Sequence, residues 1–286
     1  MSLLRYWWVL PGGLAVLGYL LSFAGLTRSQ RAEWVTARVV DLESPDHGAS
    51  KDGGIPVTVS FRDPRSGQEF TLPNTDGKHG FPVRAAWIGR ELVVYYPKGH
   101  PEKFRIALYP EAEGDGRDFP NVMVALLLLG LVIHAIVAWG YEWAFLGFGA
   151  LLFLAGLLGR DLRSARLRGR QLADAIAVPA HVVAVTTDVY KDGEGSEIIN
   201  HAPVIAFTTT DGRAVLVQPL DNFPKPGTSL GREFTLHYAP SDPTVYTHNL
   251  DFDRKDRLNT ARYTTVPRAL GLLALLAGAT LLYLHR

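Results

Sequence analysis

The stretch Gly-Arg-Glu-Leu-Val-Val-Tyr-Tyr at 89–96 returns at 231–238 as Gly-Arg-Glu-Phe-Thr-Leu-His-Tyr, 142 residues further along the chain. A proline follows each copy after the same interval, at Pro101 and Pro243. Further matches keep the same order in both halves: 37–40 with 180–183, Phe61 with Phe207, Gly67 with Gly212, and 81–82 with 223–224. Because ordered matches are the signature of a repeated unit, the sequence predicts an internal duplication.

Four segments of the 286-residue chain carry almost no charge: 6–27, 121–139, 143–159 and 269–284. A helix of 16 to 22 residues spans about 24 to 33 Å, close to the ~30 Å hydrocarbon core of a bilayer. We therefore predict four transmembrane helices. The alternatives are a cleaved signal peptide for the first segment and a buried helical hairpin for the second and third. The leucine-rich runs of the hairpin are apolar on every side, which favours the membrane.

Two segments between the predicted spans, 28–119 and 160–268, change to short runs in which apolar and polar residues alternate. Such runs, separated by Gly, Pro and Asp turns, are typical of β-strands. The strand candidates are 35–42, 56–62, 69–72 and 91–96 in the first segment, and 180–187, 204–209, 214–218 and 233–238 in the second. The predicted fold is a membrane α+β protein with four transmembrane helices and two duplicated small antiparallel β-domains, each a barrel or a sandwich.

The second copy of the repeated strand shows which side chains enter the core. Its alternation places Phe234, Leu236 and Tyr238 on the inward face, and Thr235 and His237 on the face exposed to water.

Each predicted unit is a helix, a domain and a helix, so it crosses the membrane an even number of times. Its copy therefore keeps the same orientation, and the repeat is parallel. Lys and Arg residues near the span ends lie mainly on the domain side, most densely at 160–170, the arginine-rich start of the second domain. The positive-inside rule then places both β-domains in the cytoplasm and both termini outside. The lack of cysteine fits either compartment.

Small residues give the predicted spans a way to pack. The four-residue spacings, Gly18 with Ser22 and Ala274 with Gly278, allow helix backbones to approach, and glycines 149, 156 and 159 line part of the third span. A four-helix bundle or a dimer follows from this pattern.

The Gly-Arg-Glu turn is the most prominent repeated polar feature. Arg90 and Arg232 could contact an anion or a protein partner, with Glu91 and Glu233 orienting them. The alternative is structural, because a glycine supplies the backbone freedom of a turn and the charged pair forms a solvated strand entry.

Two further sites depend on the membrane interpretation. His134 is an ionisable residue within the second span, and such residues are candidates for an intramembrane polar site, although the ring could instead bond a neighbouring helix. Arg160, Arg163, Arg166 and Arg170 recur near helical spacing and are candidates for anionic lipid contact, at roughly 1 kcal/mol per basic residue. The alternative is that these arginines only set the topology.

The sequence predicts no catalytic residue, no cofactor site and no metal site. It contains no phosphate-binding Gly-Lys-Ser/Thr, no Gly-x-Ser-x-Gly elbow and no two-histidine zinc helix. The acidic residues at 251, 253 and 256 are predicted to lie in a solvated linker. Nucleic-acid binding is not expected, since the charges of the first domain are balanced.

The Gly-Arg-Glu-x-x-x-x-Tyr-x-x-x-x-Pro strand and turn follows an Ala-x-Val-Val strand and a transmembrane helix. In this arrangement the chain resembles an uncharacterised bacterial membrane family, the domain of unknown function 3592 type, in two tandem copies. The resemblance implies small β-domains set between transmembrane helices, and it implies no catalytic residues. The second copy departs from the first at His237 and at 239–240.

Three functional hypotheses follow. The first is a non-enzymatic membrane protein whose paired β-domains bind a protein partner, as a scaffold, an accessory subunit or an inhibitor of immunity type, with a homo-oligomer also possible. The second is a membrane-anchored sensor that binds a small anion or a lipid headgroup between the β-domains. The third is a small channel or transporter that uses His134.

Overall fold

The computed structural model describes residues 7–74, 82–107, 114–158, 161–191, 193, 195–219 and 223–284. The chain divides into two compact units. A helical unit contains Met1–Gln30, Gly114–Arg170 and Asp251–Arg286, and a β-unit contains Arg31–Glu113 and Gln171–Leu250.

The helical unit contains five helices in its described residues: α1 Val9–Phe23, α2 Asp118–Trp139, α3 Glu142–Leu158, α4 Asp161–Gln171 and α5 Leu250–Leu284. Three helical stretches are long and apolar enough to cross a membrane: Asp118–Trp139, Glu142–Asp174 and Leu250–Leu284. Helix α1 is apolar but shorter, with 15 residues. A crossing by α1 therefore stays a prediction, since 15 residues of helix span only about 22 Å.

Small residues bring the helix backbones together. A Cβ atom placed on Gly18 would lie 3.0 Å from the Cβ of Pro120, and one placed on Gly149 would lie 2.9 Å from the backbone nitrogen of Leu275. Gly278 meets Leu146 at a similar distance. The predicted packing roles of these three glycines are confirmed, and α3 and α5 approach at backbone distance.

Helix α5 begins at Leu250, well before the apolar segment that we predicted from residue 269. Its first turns contain Asp253, whose side chain is only 7 % exposed and accepts hydrogen bonds from Arg168 and Arg257. The prediction of a solvated linker was wrong for Asp253, because two arginines, one on α4 and one on α5, enclose it.

The first sheet of the β-unit has five antiparallel strands in the order β3-β2-β1-β5-β6. The bounds are β1 Glu33–Leu42, β2 Val57–Arg62, β3 Glu69–Asn74, β5 Glu91–Tyr96 and β6 Arg105–Ile106. The intervening strand, β4 Ala85–Ala86, belongs to the other sheet. The four predicted strands are confirmed, and β4 and β6 were missed because two-residue strands have no alternation to detect.

The second sheet has the order β11-β10-β7-β8-β9-β4. Its remaining strands are β7 Ile176–Lys191, β8 Glu197–Thr208, β9 Ala214–Val217, β10 Glu233–Ala239 and β11 Asp242–Thr247. The two sheets form a half-barrel and a near-barrel. Strand β11 was missed, and β7 and β8 are longer than we predicted.

The Gly-Arg-Glu turn has the same hydrogen bonds in both sheets. Gly89 donates to the carbonyl of Val39 at 2.7 Å, and Gly231 donates to the carbonyl of Val182 at 2.9 Å. Both glycines have a positive φ, which glycine adopts without strain. The register shifts immediately after these two valines, after Val39 where β1 pairs with β2 and after Val182 where β7 pairs with β8. The equivalent strands thus share order, turn and bulge, while the duplication itself stays a prediction.

The inward face of β10 agrees with its alternation, since Leu236 and Tyr238 are buried and Thr235 is exposed. Tyr96 and Tyr238 are each packed against a phenylalanine, Phe61 or Phe207, with ring centroids 5.5 and 5.6 Å apart. Each tyrosine hydroxyl also forms a hydrogen bond with the turn of the neighbouring hairpin. These bonds fix the orientation of the two tyrosine rings in the cores.

The hydroxyl of Tyr96 donates to Asp63 Oδ1 at 2.8 Å in the first sheet. Hydrogen bonds from the side chain and backbone of Ser66, together with that of Tyr96, lower the pKa of Asp63 to about 2. A carboxylate whose folded-state pKa is depressed stabilises the protein above its unfolded value of about 3.9, and this stability is lost as the pH falls toward the folded value.

We therefore expect Asp63→Asn to lower the unfolding temperature of the β-unit at neutral pH and to flatten its decline between about pH 4 and pH 2. Thermal unfolding followed by the β-sheet circular dichroism signal measures both effects. The exposed residue Glu91 provides the control as Glu91→Gln. An unchanged acid decline in Asp63→Asn would show that other carboxylates cause it.

Candidate functional site

A short segment of the first half, residues 82–90, completes the second sheet. We call it the strap. Its strand β4 pairs with β9, Ala85 opposite Val217 and Ala86 opposite Leu216. Both alanines are buried, Ala85 in the core of the second sheet and Ala86 in the core of the first. The strap therefore joins the two sheets of the β-unit into one packed body.

A buried polar network fixes the start of the strap. Arg84 Nη1 donates to Gln218 Oε1 at 2.8 Å and to the carbonyl of Lys51 at 3.1 Å. Gln218 Nε2 then donates to Thr186 Oγ1 at 2.8 Å. Gln218 and Thr186 are almost completely buried, at 1 % and 0 % exposed. Burial lowers the pKa of Arg84, and the charges of Asp52 and Asp188 oppose that shift.

Arg90, which we predicted as a partner or anion contact, closes the other end of the strap. Its guanidinium donates to the carbonyl of Ala85 and lies 5.2 Å from the centre of the Trp87 ring. Burial lowers the pKa of Arg90, and the charge of Asp242 opposes this effect. Arg90 thus stabilises the loop to which it belongs, as the structural interpretation of the Gly-Arg-Glu turn predicts.

Arg232 repeats this role in the second half. Its Nη1 donates to the carbonyl of Pro224 at 3.3 Å, and the guanidinium lies 5.9 Å from the centre of the Phe223 ring. The same ring lies 5.4 Å from that of His248, whose pKa is lowered by burial and by the charge of Arg232. Arg232 itself is exposed.

The two arginines have separate places in the β-unit. The charge of Asp242 acts on the pKa of Arg90, and Asp242 lies opposite Ala239 in the register of β10 and β11. Arg232 immediately precedes β10 at its start. Glu91 is exposed like Glu233. The guanidinium groups thus bond different segments, Arg90 the carbonyl of Ala85 and Arg232 that of Pro224, and an anion contact at these residues stays a prediction.

A cleft of about 1130 Å³ crosses the outward side of the second sheet. Strands β7 to β10 line it, together with Leu42 and Ile88 from the first half. Most of the lining side chains are small and apolar, whereas His181 and Glu233 face each other in register across two strands. The cleft is therefore chiefly apolar, unlike the polar cleft of the sensor hypothesis.

The most exposed apolar feature of the second sheet is a projecting hairpin. Strands β7 and β8 remain paired from Asp188 with Asn200 to Lys191 with Glu197. We call these paired residues, 188–191 and 197–200, the arm. Each face of the arm carries one apolar pair. Val189 with Ile199 is 58 and 55 % exposed, and Tyr190 with Ile198 is 49 and 39 % exposed.

The base of the arm is tied to the first half of the chain. Gly48 donates to the carbonyl of Val185 at 2.8 Å, and Thr187 donates to that of Ala49 at 2.8 Å. Asp188 Oδ1 accepts from Ser50 Oγ at 2.7 Å. The arm was missed because our predicted strands ended at 187 and began again at 204. The Asp-Gly pair at 192–193 between apolar runs is a hairpin signal that could have found it.

The helical unit positions the remaining candidates. His134 lies on an exposed side of α2, with its ring 6.3 Å from that of Trp7. Arg163, Arg166 and Arg170 are exposed on α4, whereas Arg160 lies outside the described residues. Arg168, which we had not singled out, is the arginine of α4 that bonds Asp253.

The described part of the chain contains no group of three or more His, Cys, Asp or Glu residues that could hold a metal ion. Comparison with family models, with curated proteins and with solved structures gives no match for this chain. The resemblance to the bacterial membrane family of two β-domains therefore stays a prediction, and the residues and their geometry carry the functional argument.

Proposed function

We propose that this chain is a non-enzymatic integral membrane protein whose paired, duplicated β-domains bind a protein partner in the cytoplasm, as a scaffold, an accessory subunit or an inhibitor. The observation that carries the proposal is the arm. Four large apolar side chains project from a two-stranded ribbon, with an apolar pair on each face. Clustered exposed apolar side chains of this kind are typical of interaction surfaces.

The energetics of the arm favour a bound state. A two-stranded hairpin is only marginally stable in water, since neither of its faces is covered. Burial of the exposed parts of four large apolar side chains would contribute on the order of 4 kcal/mol. Tyr190 combines a large ring with a polar hydroxyl, which is characteristic of residues at the centre of protein interfaces. A partner that covers the arm would therefore stabilise it as well as bind it.

The helical unit supports the membrane part of the proposal. Three of its helical stretches are long and apolar enough to span a bilayer, and the α3 and α5 backbones meet at glycines as in membrane helix pairs. The exposed Arg163, Arg166 and Arg170 follow α3 directly, and the positive-inside rule places basic residues next to a span on its cytoplasmic side.

The arm is tested by replacing one apolar pair with threonine, as Val189→Thr with Ile199→Thr. Threonine keeps the β-branched shape and the strand preference, so the hairpin should persist while its apolar contact area falls. We expect wild-type protein in mild detergent to purify as a complex of defined stoichiometry, and the double variant to lose that complex while its β-sheet circular dichroism spectrum stays unchanged. Native mass spectrometry measures the composition.

The matched control is Val40→Thr, which alters a valine 40 % exposed on β1, outside the arm. This variant should keep the complex. A wild-type protein that remains a lone monomer in several mild detergents contradicts the proposal, and so does a complex that survives replacement of both apolar pairs of the arm.

A further inference from the structure

We infer that the partner of the arm is a second copy of this chain, and that the surface of the second copy that receives the arm is the exposed side of its helix α4. The inference rests on the proposed function, because it identifies the partner that the arm binds. Charge and apolar content on the two surfaces carry the argument.

The hairpin that carries the arm is acidic. Residues 188–197 contain one lysine and four carboxylates, at Asp188, Asp192, Glu194 and Glu197. Two such hairpins would repel each other, so a contact between two arms is disfavoured. An anionic leaflet is disfavoured for the same reason. The apolar pairs of the arm therefore require a partner surface that is apolar at its centre and basic around it.

Helix α4 offers that combination. Arg163, Arg166 and Arg170 follow the three- and four-residue spacing of one helix side, and all three are exposed. Leu167 lies among them and is 56 % exposed. Arg168 contacts Asp253 of α5 instead, whereas Leu167 and the three other arginines are exposed.

The two surfaces complement each other in both respects. Val189 and Ile199, or Tyr190 and Ile198, can cover Leu167, while Glu197 meets the arginines around it. An arginine can also stack on the ring of Tyr190. If the arm of each copy contacts α4 of the other, a two-fold axis forms the contact twice. Apolar burial then supplies the affinity, and charge selects α4 over a second arm.

The inference is tested by cross-linking in membranes, because the natural chain contains no cysteine. Full-length copies with different tags are produced together, one with Ile199→Cys and the other with Leu167→Cys, and treated with a short bismaleimide. We expect a product that carries both tags. The matched control is Leu230→Cys, 51 % exposed in the second half but outside the arm, paired with Leu167→Cys. This control should give little product.

A charge exchange separates a specific contact from misfolding. Glu197→Arg, added to the copy that carries Ile199→Cys, should lower the yield about fivefold, since an attractive pair becomes repulsive. Arg163→Glu with Arg166→Glu, added to the copy that carries Leu167→Cys, should restore most of the yield. Recovery by a second substitution in the other copy supports direct contact, whereas a yield that stays low overturns it.

The other outcomes are equally decisive. Efficient coupling between two copies that both carry Ile199→Cys would show that the arm binds a second arm and not α4. An equal yield from the Leu230→Cys control would show that the cross-link forms by random collision. Either result overturns the inference. Arm-dependent purification of a different protein, without the cross-link, overturns the second copy as partner but keeps the proposed function. Binding of wild-type protein to anionic vesicles that needs Arg163 and Arg166, again without the cross-link, assigns α4 to lipid and overturns the inference.

Discussion

Asp253→Asn is expected to lower the free energy of unfolding of the helical unit by about 2 to 3 kcal/mol. The carboxylate is 7 % exposed and accepts from Arg168 Nε and Arg257 Nε, each at 2.7 Å. The asparagine amide oxygen can still accept from one arginine, but the two guanidinium charges lose the carboxylate that balances both. The loss stays below that of a fully buried pair, because the arginine side chains are 39 and 28 % exposed and can be hydrated.

Thermal or denaturant unfolding in a fixed detergent measures the change. Asp256→Asn is the matched control, since Asp256 has the same chemistry three residues further along α5 and is exposed. The control should change stability by less than about 0.5 kcal/mol. Equal effects at both positions would mean that the bridge between α4 and α5 contributes no more than an ordinary surface charge.

Gly271→Val is expected to destabilise the helical unit by about 3 kcal/mol, because it inserts atoms where two helix backbones touch. A Cβ atom at Gly271 would lie 2.5 Å from the backbone nitrogen of Phe153 and 2.7 Å from the carbonyl oxygen of Gly149. Neither backbone atom can move aside as a flexible side chain would. Helices α3 and α5 must therefore separate, and the contacts around Gly149 are lost with them.

The control for this change is Gly13→Val, since a Cβ atom at Gly13 of α1 meets nothing within 4 Å. The better helix propensity of valine should make this variant neutral or slightly stabilising. Unfolding in detergent compares the two variants directly. A Gly271→Val protein as stable as wild type would show that α3 and α5 do not depend on this close approach.

Several features of the fold could be predicted from local patterns. The apolar segments predicted α2, most of α3 and the last part of α5, because a helix that is apolar on every side cannot be accommodated at an aqueous surface. The Gly-Arg-Glu repeat predicted β5, β10 and their turns, since glycine at a positive φ and alternating side chains have local causes. The inward positions of Leu236 and Tyr238 followed from the same alternation.

The candidate site was far less predictable. Arg90 and Arg232 led to a binding hypothesis because they recur and are charged, and that hypothesis stays a prediction; the structure shows that each bonds a backbone carbonyl of its own loop and lies over an aromatic ring. No local pattern distinguishes an arginine that binds a ligand from one that closes a loop. The arm went unnoticed because a strand that projects beyond its sheet has exposed apolar residues at positions where a sheet would have polar ones.

The amino-acid sequence alone therefore determined the elements that depend on neighbouring residues: the apolar helices, the alternating strands and the repeated turn. Only the tertiary structure decided that Ala85 and Ala86 pair with β9, that Asp253 is enclosed by Arg168 and Arg257, and that the arm is exposed. Each of these depends on segments far apart in the chain. The physical reason is that periodicity records which face of an element is apolar, whereas the partner of that face is selected by packing and hydrogen bonding in three dimensions.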